Sequence, residues 1–299
     1  MNARIIDGVA ISRSIRDECA ERVRRLQVGW NITPGLAVVI IGDDPASRIY
    51  VRNKIRAAEE VGLISRLYEF EYDADPETVL ELIDKLNNDP SIHGILVQLP
   101  LPPRFNIYSV LHRIDPNKDV DGFHLYNVGG LVVGEKVFSP CTPFGVVMLL
   151  QHEGIALAGQ NVVVVGASNI VGKPMALMLM REEATVAVCH ARTRDLAQFT
   201  ILADILIVAA GVPGLIVQQM VKSGAIVVDV GINRLPSGKI VGDVDFENVR
   251  KKASYITPVP GGVGPMTVTM LIYNTIQSAE RAYRGSGAAL APDERRNAP

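Results

Sequence analysis

In the stretch IYVRNK, residues 49–54, a phenol and an ammonium stand four positions apart in a segment of helical period. Side chains at i and i+4 lie one above the other on a helix, so Tyr50 and Lys54 share a face and can serve one ligand together. An amine in such a position carries protons once it is desolvated or set beside positive charge. The loop GDDPAS just before it supplies Ser47. Further on, GILVQLPLP (94–102) ends an apolar strand in Gln98, an amide able to direct such an amine. The segment PNKDVDGFH (116–124) sets Asn117, Asp119 and Asp121 at alternate positions, like the start of a calcium loop. Val128 stands where that loop requires a bidentate glutamate, which argues against calcium.

A second constellation lies in VVVVGASNIVGKPMALML, which reads strand, glycine turn, helix, the setting of a dinucleotide fingerprint. Gly166, Ser168 and Gly172 let backbone N–H groups approach a pyrophosphate at the positive end of the following helix. The spacing departs from G-x-G-x-x-G, because the third small residue comes one position late and Ser168 replaces the middle glycine. The next strand closes in VCHARTRD, so His190, Arg192 and Arg194 occupy the place of the acidic residue that holds the ribose of NAD. Guanidinium groups form charge-assisted bonds with phosphate oxygens, so NADP is expected in preference to NAD.

These residues need a scaffold, and the chain alternates strand and helix from end to end. Strands are expected at 36–42, 66–71 and 92–100, with helices at 45–62, 76–88 and 105–114, a parallel α/β unit. The stretch from 115 to 143 is broken by Pro, Gly and Asn and reads as a boundary region. Strands at 161–166, 185–190, 205–211, 225–231 and 254–260, with helices at 172–183, 195–203 and 216–223, then form a second sheet covered on both faces. Helices at 8–27 and 265–284 frame the whole, and 285–299 reads as a flexible tail.

Composition limits the function classes. The 299 residues suit two domains, and 48% apolar content suffices for packed cores. Thirty basic against 32 acidic residues give a net charge of −2, which argues against nucleic-acid and membrane-surface partners. No apolar run reaches the length of a membrane span, and the N-terminus lacks the apolar core of a secretory signal. Cys19, Cys141 and Cys189 are too few and too scattered for a disulfide framework, consistent with a reducing compartment. His93, His112, His124, His152 and His190 stand singly, so no metal site is expected.

Taken with PCTP (140–143), DVGIN (229–233), GDVDF (242–246) and PVPGGVGPMT (258–267), these segments resemble in unbroken order the bifunctional methylenetetrahydrofolate dehydrogenase/methenyltetrahydrofolate cyclohydrolase family, from about residue 3 to 285. The resemblance implies an α/β fold of two domains. One is a three-layer catalytic domain (1–143) completed by helix 265–284, the other a Rossmann-like doubly wound domain (144–264), with a cleft between them. It implies that Lys54 is the active-site lysine, Gln98 its companion, Tyr50 the ring that stacks on the folate, and Asp121 the pterin anchor, with Ser47 and Gly262 bordering the folate. Gly166, Ser168, Ile170, Gly172, His190, Arg192 and Ile232 would line the NADP site. It further implies a folate substrate, a cytoplasmic enzyme and a homodimer. Ala167 stands where the family pattern commonly has Arg, and Ala191 where it often has Ser, so two polar contacts to the 2′-phosphate are missing and Arg192 must carry that role.

Three rival readings follow from the same residues. Y-x-x-x-K is also the spacing of short-chain dehydrogenases, but there the phosphate loop precedes the pair, and here it follows. An amino-acid-dehydrogenase-like enzyme would oxidise an amino acid and ignore reduced folates. A non-catalytic folate or NADP sensor would show no turnover.

Overall fold

The computed structural model describes residues 2–135 and 138–285. From the N-terminus the elements are β1 (Arg4–Ile5), α1 (Gly8–Trp30), β2 (Gly35–Ile41), α2 (Pro45–Glu60), β3 (Ile64–Phe70), α3 (Pro76–Asn88), β4 (Gly94–Val97) and α4 (Ile107–Arg113). They continue with α5 (Leu125–Val133), α6 (Cys141–His152), β5 (Asn161–Val165), α7 (Gly172–Arg181), β6 (Thr185–Cys189), α8 (Ala197–Thr200), β7 (Ile205–Val208) and β8 (Ile226–Asp229). The last are β9 (Asn233–Arg234), β10 (Ile240–Val241), α9 (Phe246–Val249), β11 (Tyr255–Ile256) and α10 (Val263–Gly285). Contacts gather them into two compact units, one of Asp17–Asp121 with the chain from Leu271 onward, the other of the residues up to Arg16 with Gly122–Met270.

The first unit is built on a three-stranded parallel sheet in the order β3-β2-β4. Ala37, Val39 and Ile41 of β2 and Ile95 and Val97 of β4 pack with Val79, Ile83 and Leu86 of α3 and Val110 of α4. The alternate residues Leu36, Val38, Ile40 and Leu96 point to the other face and are also buried, which explains the unbroken apolar run. β3 lies at the edge, where Arg66 and Glu69 are exposed. Pro45 opens α2, and the N-cap Asp44 accepts the Ser47 N–H at 2.7 Å, bonds from the Ser47 backbone and side chain holding its carboxyl below the usual range. In the same unit α1 meets α10. Arg22 donates two hydrogen bonds to Glu280 (2.9 and 2.7 Å) and lies 4.4 Å from the Tyr273 ring centroid, while Trp30 stacks on Tyr283 at 4.2 Å.

The second unit holds a six-stranded sheet, β1-β11-β8-β7-β5-β6, with every pair parallel. Its core gathers Val163, Val165, Leu206, Val208, Val227 and Ile256.

The structure departs from the expected elements at several points. Residues 195–203 form only the single turn α8, 216–223 a 3-10 turn at Gln218–Met220, and 254–260 the two-residue β11. The boundary region contains α5 and the start of α6, and α5 packs with α7. Against a sequence boundary drawn at 143/144, contacts therefore group 122–143 with the six-stranded sheet, and β1, pairing with β11, brings the N-terminal residues there too. Gly285 ends α10, and the remainder of the expected tail lies outside the described residues. Among the described residues, no helix is long and apolar enough to cross a membrane, and the three cysteines are buried and form no disulfide.

Because Ile83 is fully buried between α3 and the sheet, Ile83→Ala should cost about 2–5 kcal/mol in urea unfolding, and a loss below about 1 kcal/mol would show that this face tolerates a cavity.

Candidate active site and dinucleotide loop

In a parallel sheet all strands end on the same side, and the loops that leave there build the ligand site. At that end of the three-stranded sheet β2 runs into the turn Gly42–Asp44 and α2, and β4 runs into Gln98. Ser47, Tyr50 and Lys54 follow one another at i, i+3 and i+7 on α2, a single helix face. Ser47 is buried, Lys54 half-buried, and Tyr50 is 38% exposed with burial raising its phenol pKa. The Lys54 ammonium donates to Gln98 Oε1 at 2.9 Å. Gln98 is fixed in turn: its backbone N–H continues the ladder to the Val39 carbonyl (2.8 Å), and its side-chain Nε2 donates to the Leu99 carbonyl (2.6 Å), so the amide oxygen faces the lysine.

Asp121 arrives by a different route. Ile95 of β4 forms a parallel bridge with Asp119, and the Ile95 N–H donates to the Lys118 carbonyl at 2.8 Å. The bridge is a single one, and Val120 and Asp121 turn away directly after it, so Asp121 stands two residues beyond a segment anchored to β4. Lys118 secures the segment by donating to the Leu86 and Asp89 carbonyls at the end of α3, and burial lowers its pKa. Lys54, Gln98, Tyr50, Ser47 and Asp121 thus all belong to one unit, with Lys54 and Gln98 in direct contact.

The other predicted residues lie in the second unit. Gly166 leaves β5 with φ of 123°, and a Cβ there would sit 2.1 Å from the Ala209 carbonyl oxygen. A Cβ on Gly172 would lie 1.9 Å from the Gly166 oxygen. At these two positions the chain packs too closely for any side chain, which brings bare backbone to the start of α7. Ser168 is exposed, and its hydroxyl oxygen accepts the Val171 N–H at 3.1 Å, while Ile170 is 39% exposed.

Val165 pairs with Cys189, and the Gly166 N–H bonds the Cys189 carbonyl, so the turn that follows β6 adjoins the glycine loop. In that turn Arg192 donates its backbone N–H to His190 Nδ1 at 3.1 Å, and His190 donates its own N–H to Thr193 Oγ1 at 3.0 Å. The side chains of His190, Arg192 and Arg194 are exposed, and among the described residues neither arginine forms an ion pair. Ile232 is 47% exposed in the loop after β8. Gly262 is buried, and a Cβ on Gly8 would overlap its carbonyl oxygen. The close-packed glycine turn, the helix start and the unpaired guanidinium beside it fit a dinucleotide that bears an extra phosphate. Among the described residues no group of three or more His, Cys, Asp or Glu could hold a metal ion.

Two buried carboxylates escaped the sequence reading, although both lie in quoted motifs: Asp229 of DVGIN and Asp243 of GDVDF. The signal was the glycine near each, Gly231 and Gly242, whose positions admit no Cβ. Burial pushes Asp229 up to about 6; N–H bonds from Asp243, Val244 and Gly231 oppose that shift and the Asp243 charge adds to it.

Such an arrangement defines the class: a two-unit parallel α/β enzyme with a dinucleotide loop on one sheet and an amine–amide pair on the other. Two family models match, "Tetrahydrofolate dehydrogenase/cyclohydrolase, catalytic domain" over residues 6–121 and "Tetrahydrofolate dehydrogenase/cyclohydrolase, NAD(P)-binding domain" over 140–283. The chain belongs to the tetrahydrofolate dehydrogenase/cyclohydrolase family and is an enzyme with both of its activities. The bifunctional protein FolD of Nitrosospira multiformis is 58% identical over 283 residues, 95% of this chain and 98% of its own. The crystal structure of the bifunctional enzyme FolD-methylenetetrahydrofolate dehydrogenase/cyclohydrolase from Campylobacter jejuni is 53% identical with a TM-score of 0.92, covering 94% of this chain and 99% of that one. That of Trypanosoma brucei methylenetetrahydrofolate dehydrogenase-cyclohydrolase, complexed with NADP cofactor and inhibitor, is 39% identical with a TM-score of 0.92, covering 95% and 99%.

A carboxyl whose pKa is raised on folding holds its proton longer in the folded chain, so its contribution is complete below the unfolded pKa and is lost as pH rises through about 6. Asp229→Asn removes that term. Relative to the unsubstituted chain, the variant should therefore gain stability between about pH 4 and 6 in urea titrations, and a constant difference would contradict the assignment.

Proposed function

We propose that the chain oxidises 5,10-methylenetetrahydrofolate with NADP and hydrolyses the resulting methenyl compound to 10-formyltetrahydrofolate in one shared cleft. The unit with the three-stranded sheet would hold the folate and the six-stranded unit the cofactor. The observation that carries the catalytic assignment is the 2.9 Å hydrogen bond from Lys54 to Gln98 at the carboxyl end of the smaller sheet.

The two reactions ask different things of the protein. A bound nicotinamide would supply the hydride acceptor for the methylene carbon, which lies between two nitrogens that stabilise the resulting cation. For that step the chain has only to hold the partners together and exclude water. Hydrolysis needs more: water adds to the methenyl carbon and loses a proton, then a carbon–nitrogen bond breaks and the nitrogen gains one. Lys54 serves as the proton carrier, favoured in releasing its proton by the cationic substrate and directed by the Gln98 amide oxygen. Tyr50, on the same helix face, offers its ring to the aminobenzoyl group, and Ser47 lines the folate site. Asp121 accepts the paired N–H donors of the pterin edge, and Gly262 borders the folate. Gly166, Ser168, Ile170 and Gly172 receive the pyrophosphate region, His190 and Arg192 the 2′-phosphate, and Ile232 the nicotinamide. With Ala167 and Ala191 contributing no polar group, discrimination between NADP and NAD falls to Arg192. We further propose a homodimer working in the cytoplasm; the resemblance supports the dimer, and three buried cysteines outside any disulfide are consistent with a reducing compartment.

Two substitutions test this reading. Lys54→Gln should abolish hydrolysis of methenyltetrahydrofolate followed by absorbance, and survival of more than about a tenth of that rate would remove the lysine from proton transfer. Arg192→Ala should raise KM for NADP by about tenfold or more and leave KM for NAD nearly unchanged; equal losses for both would show that the arginine does not read the 2′-phosphate.

A further inference from the structure

Asp229 and Asp243 are 3% and 0% exposed, and neither has a part in the chemistry above. Their partners are backbone N–H groups and one side-chain amide. Asp229 ends β8, in register with Val208 at the end of β7. Its Oδ1 accepts the N–H groups of Gly231 and Asp243 (3.0 Å each), and its Oδ2 that of Val244 (2.9 Å). Asp243 reaches the neighbouring loop. Its Oδ2 accepts two consecutive N–H groups after β7, Ala210 at 2.7 Å and Gly211 at 2.8 Å, and its Oδ1 accepts Asn233 Nδ2 at 2.8 Å.

The consequence lies at Ile232. The residue before it is tied to Asp229 by its backbone, the residue after it to Asp243 by its side chain, and the isoleucine between them stays 47% exposed. The same two carboxylates thus fix both flanks of one apolar side chain on the loop-bearing end of the sheet. They also reach the glycine loop indirectly, because Gly166 lies against the carbonyl of Ala209, immediately before the N–H pair held by Asp243. Close packing leaves no slack. A Cβ on Gly231 would fall 2.3 Å from the Asp243 carboxylate, and one on Gly242 would fall 1.9 Å from Asp229 Oδ2.

We infer that Asp229 and Asp243 are positioning residues of the dehydrogenase half-reaction, a carboxylate clamp that sets the loops after β7 and β8 against the nicotinamide end of the cofactor. The inference rests on the reading that Ile232 lines the NADP site. Hydrolysis of the methenyl compound uses no nicotinamide, so disturbing the clamp should separate the two activities. A role confined to folding would lower both together.

Asp243→Asn keeps the shape but removes the charge and one accepting oxygen, so the Asn233 amide must turn over to present its own oxygen to the new N–H donor. Asn233→Ala is milder, removing one hydrogen bond at a half-buried position. Both variants, and Ile232→Ala, are assayed as full-length protein for NADP-linked oxidation of methylenetetrahydrofolate and for hydrolysis of methenyltetrahydrofolate. The clamp requires KM for NADP to rise about fivefold or more in Asn233→Ala, and further in Asp243→Asn, with kcat/KM for hydrolysis within about twofold of the unsubstituted chain. Parallel loss of both activities in Asn233→Ala, or an unchanged KM for NADP in both clamp variants, overturns it. If Ile232→Ala raises that KM while the clamp variants do not, the clamp alone fails; if Ile232→Ala also leaves it unchanged, the assignment of Ile232 to the cofactor fails with it.

Discussion

Parallel strands all finish on one side of a sheet, and both halves of this chain place their functional groups there. In the smaller sheet the constraint is tight, since Gln98 must stay in the hydrogen-bonded ladder beside Val39 for its side-chain oxygen to meet Lys54. A one-residue slip of β4 would turn Gln98 to the opposite face and bring Leu99 into its place. The buried apolar alternation of Ile95 and Val97 against Ala37, Val39 and Ile41 prevents that slip. Core packing and the geometry of the Lys54–Gln98 contact are therefore one requirement here, met by the same few residues.

The division of labour follows from the chemistry of a carbon held between two nitrogens. Oxidation yields a cation that the substrate itself stabilises, so geometry dominates that step, and on the proposed reading the glycine turn at 166–172, the Ile232 loop and the turns tied to Asp243 would supply it. Hydrolysis needs a mobile proton as well, and on the proposed reading the amine of Lys54, hydrogen-bonded to one amide oxygen, would carry it. The two buried aspartates illustrate the other use of a carboxylate. Holding only N–H donors, they act as acceptors that organise backbone, and desolvation raises Asp229 well above an ordinary aspartate.

Much of this was legible in the sequence because it depends on local rules. Helix α3 spans the expected 76–88, since Pro76 opens it and its apolar residues follow a helical period. The spacing of Tyr50 and Lys54 put both on one face of α2, and the fingerprint at 166–172 put a glycine turn between β5 and α7. What could not be read had no period to reveal it. Helix α6 buries seven of its twelve residues, so apolar side chains all round conceal its phase, and two glycines and an asparagine disguise α5. Strand β1 is two residues long and exists only through its pairing with β11, about 250 positions away. The meeting of Asp229 with the Asp243 backbone likewise depends on tertiary closure, and only Gly231 and Gly242 advertised it.

The stacking of Trp30 on Tyr283 and the pairing of Arg22 with Glu280 join the first long helix of the chain to the last. Each compact unit draws on two separated stretches of sequence, so neither is a contiguous segment that can be cut out with its contacts intact. On a translating ribosome the three-stranded sheet is made early but waits for its closing helix until α10 emerges, leaving the apolar side of α1 to be shielded in the interval.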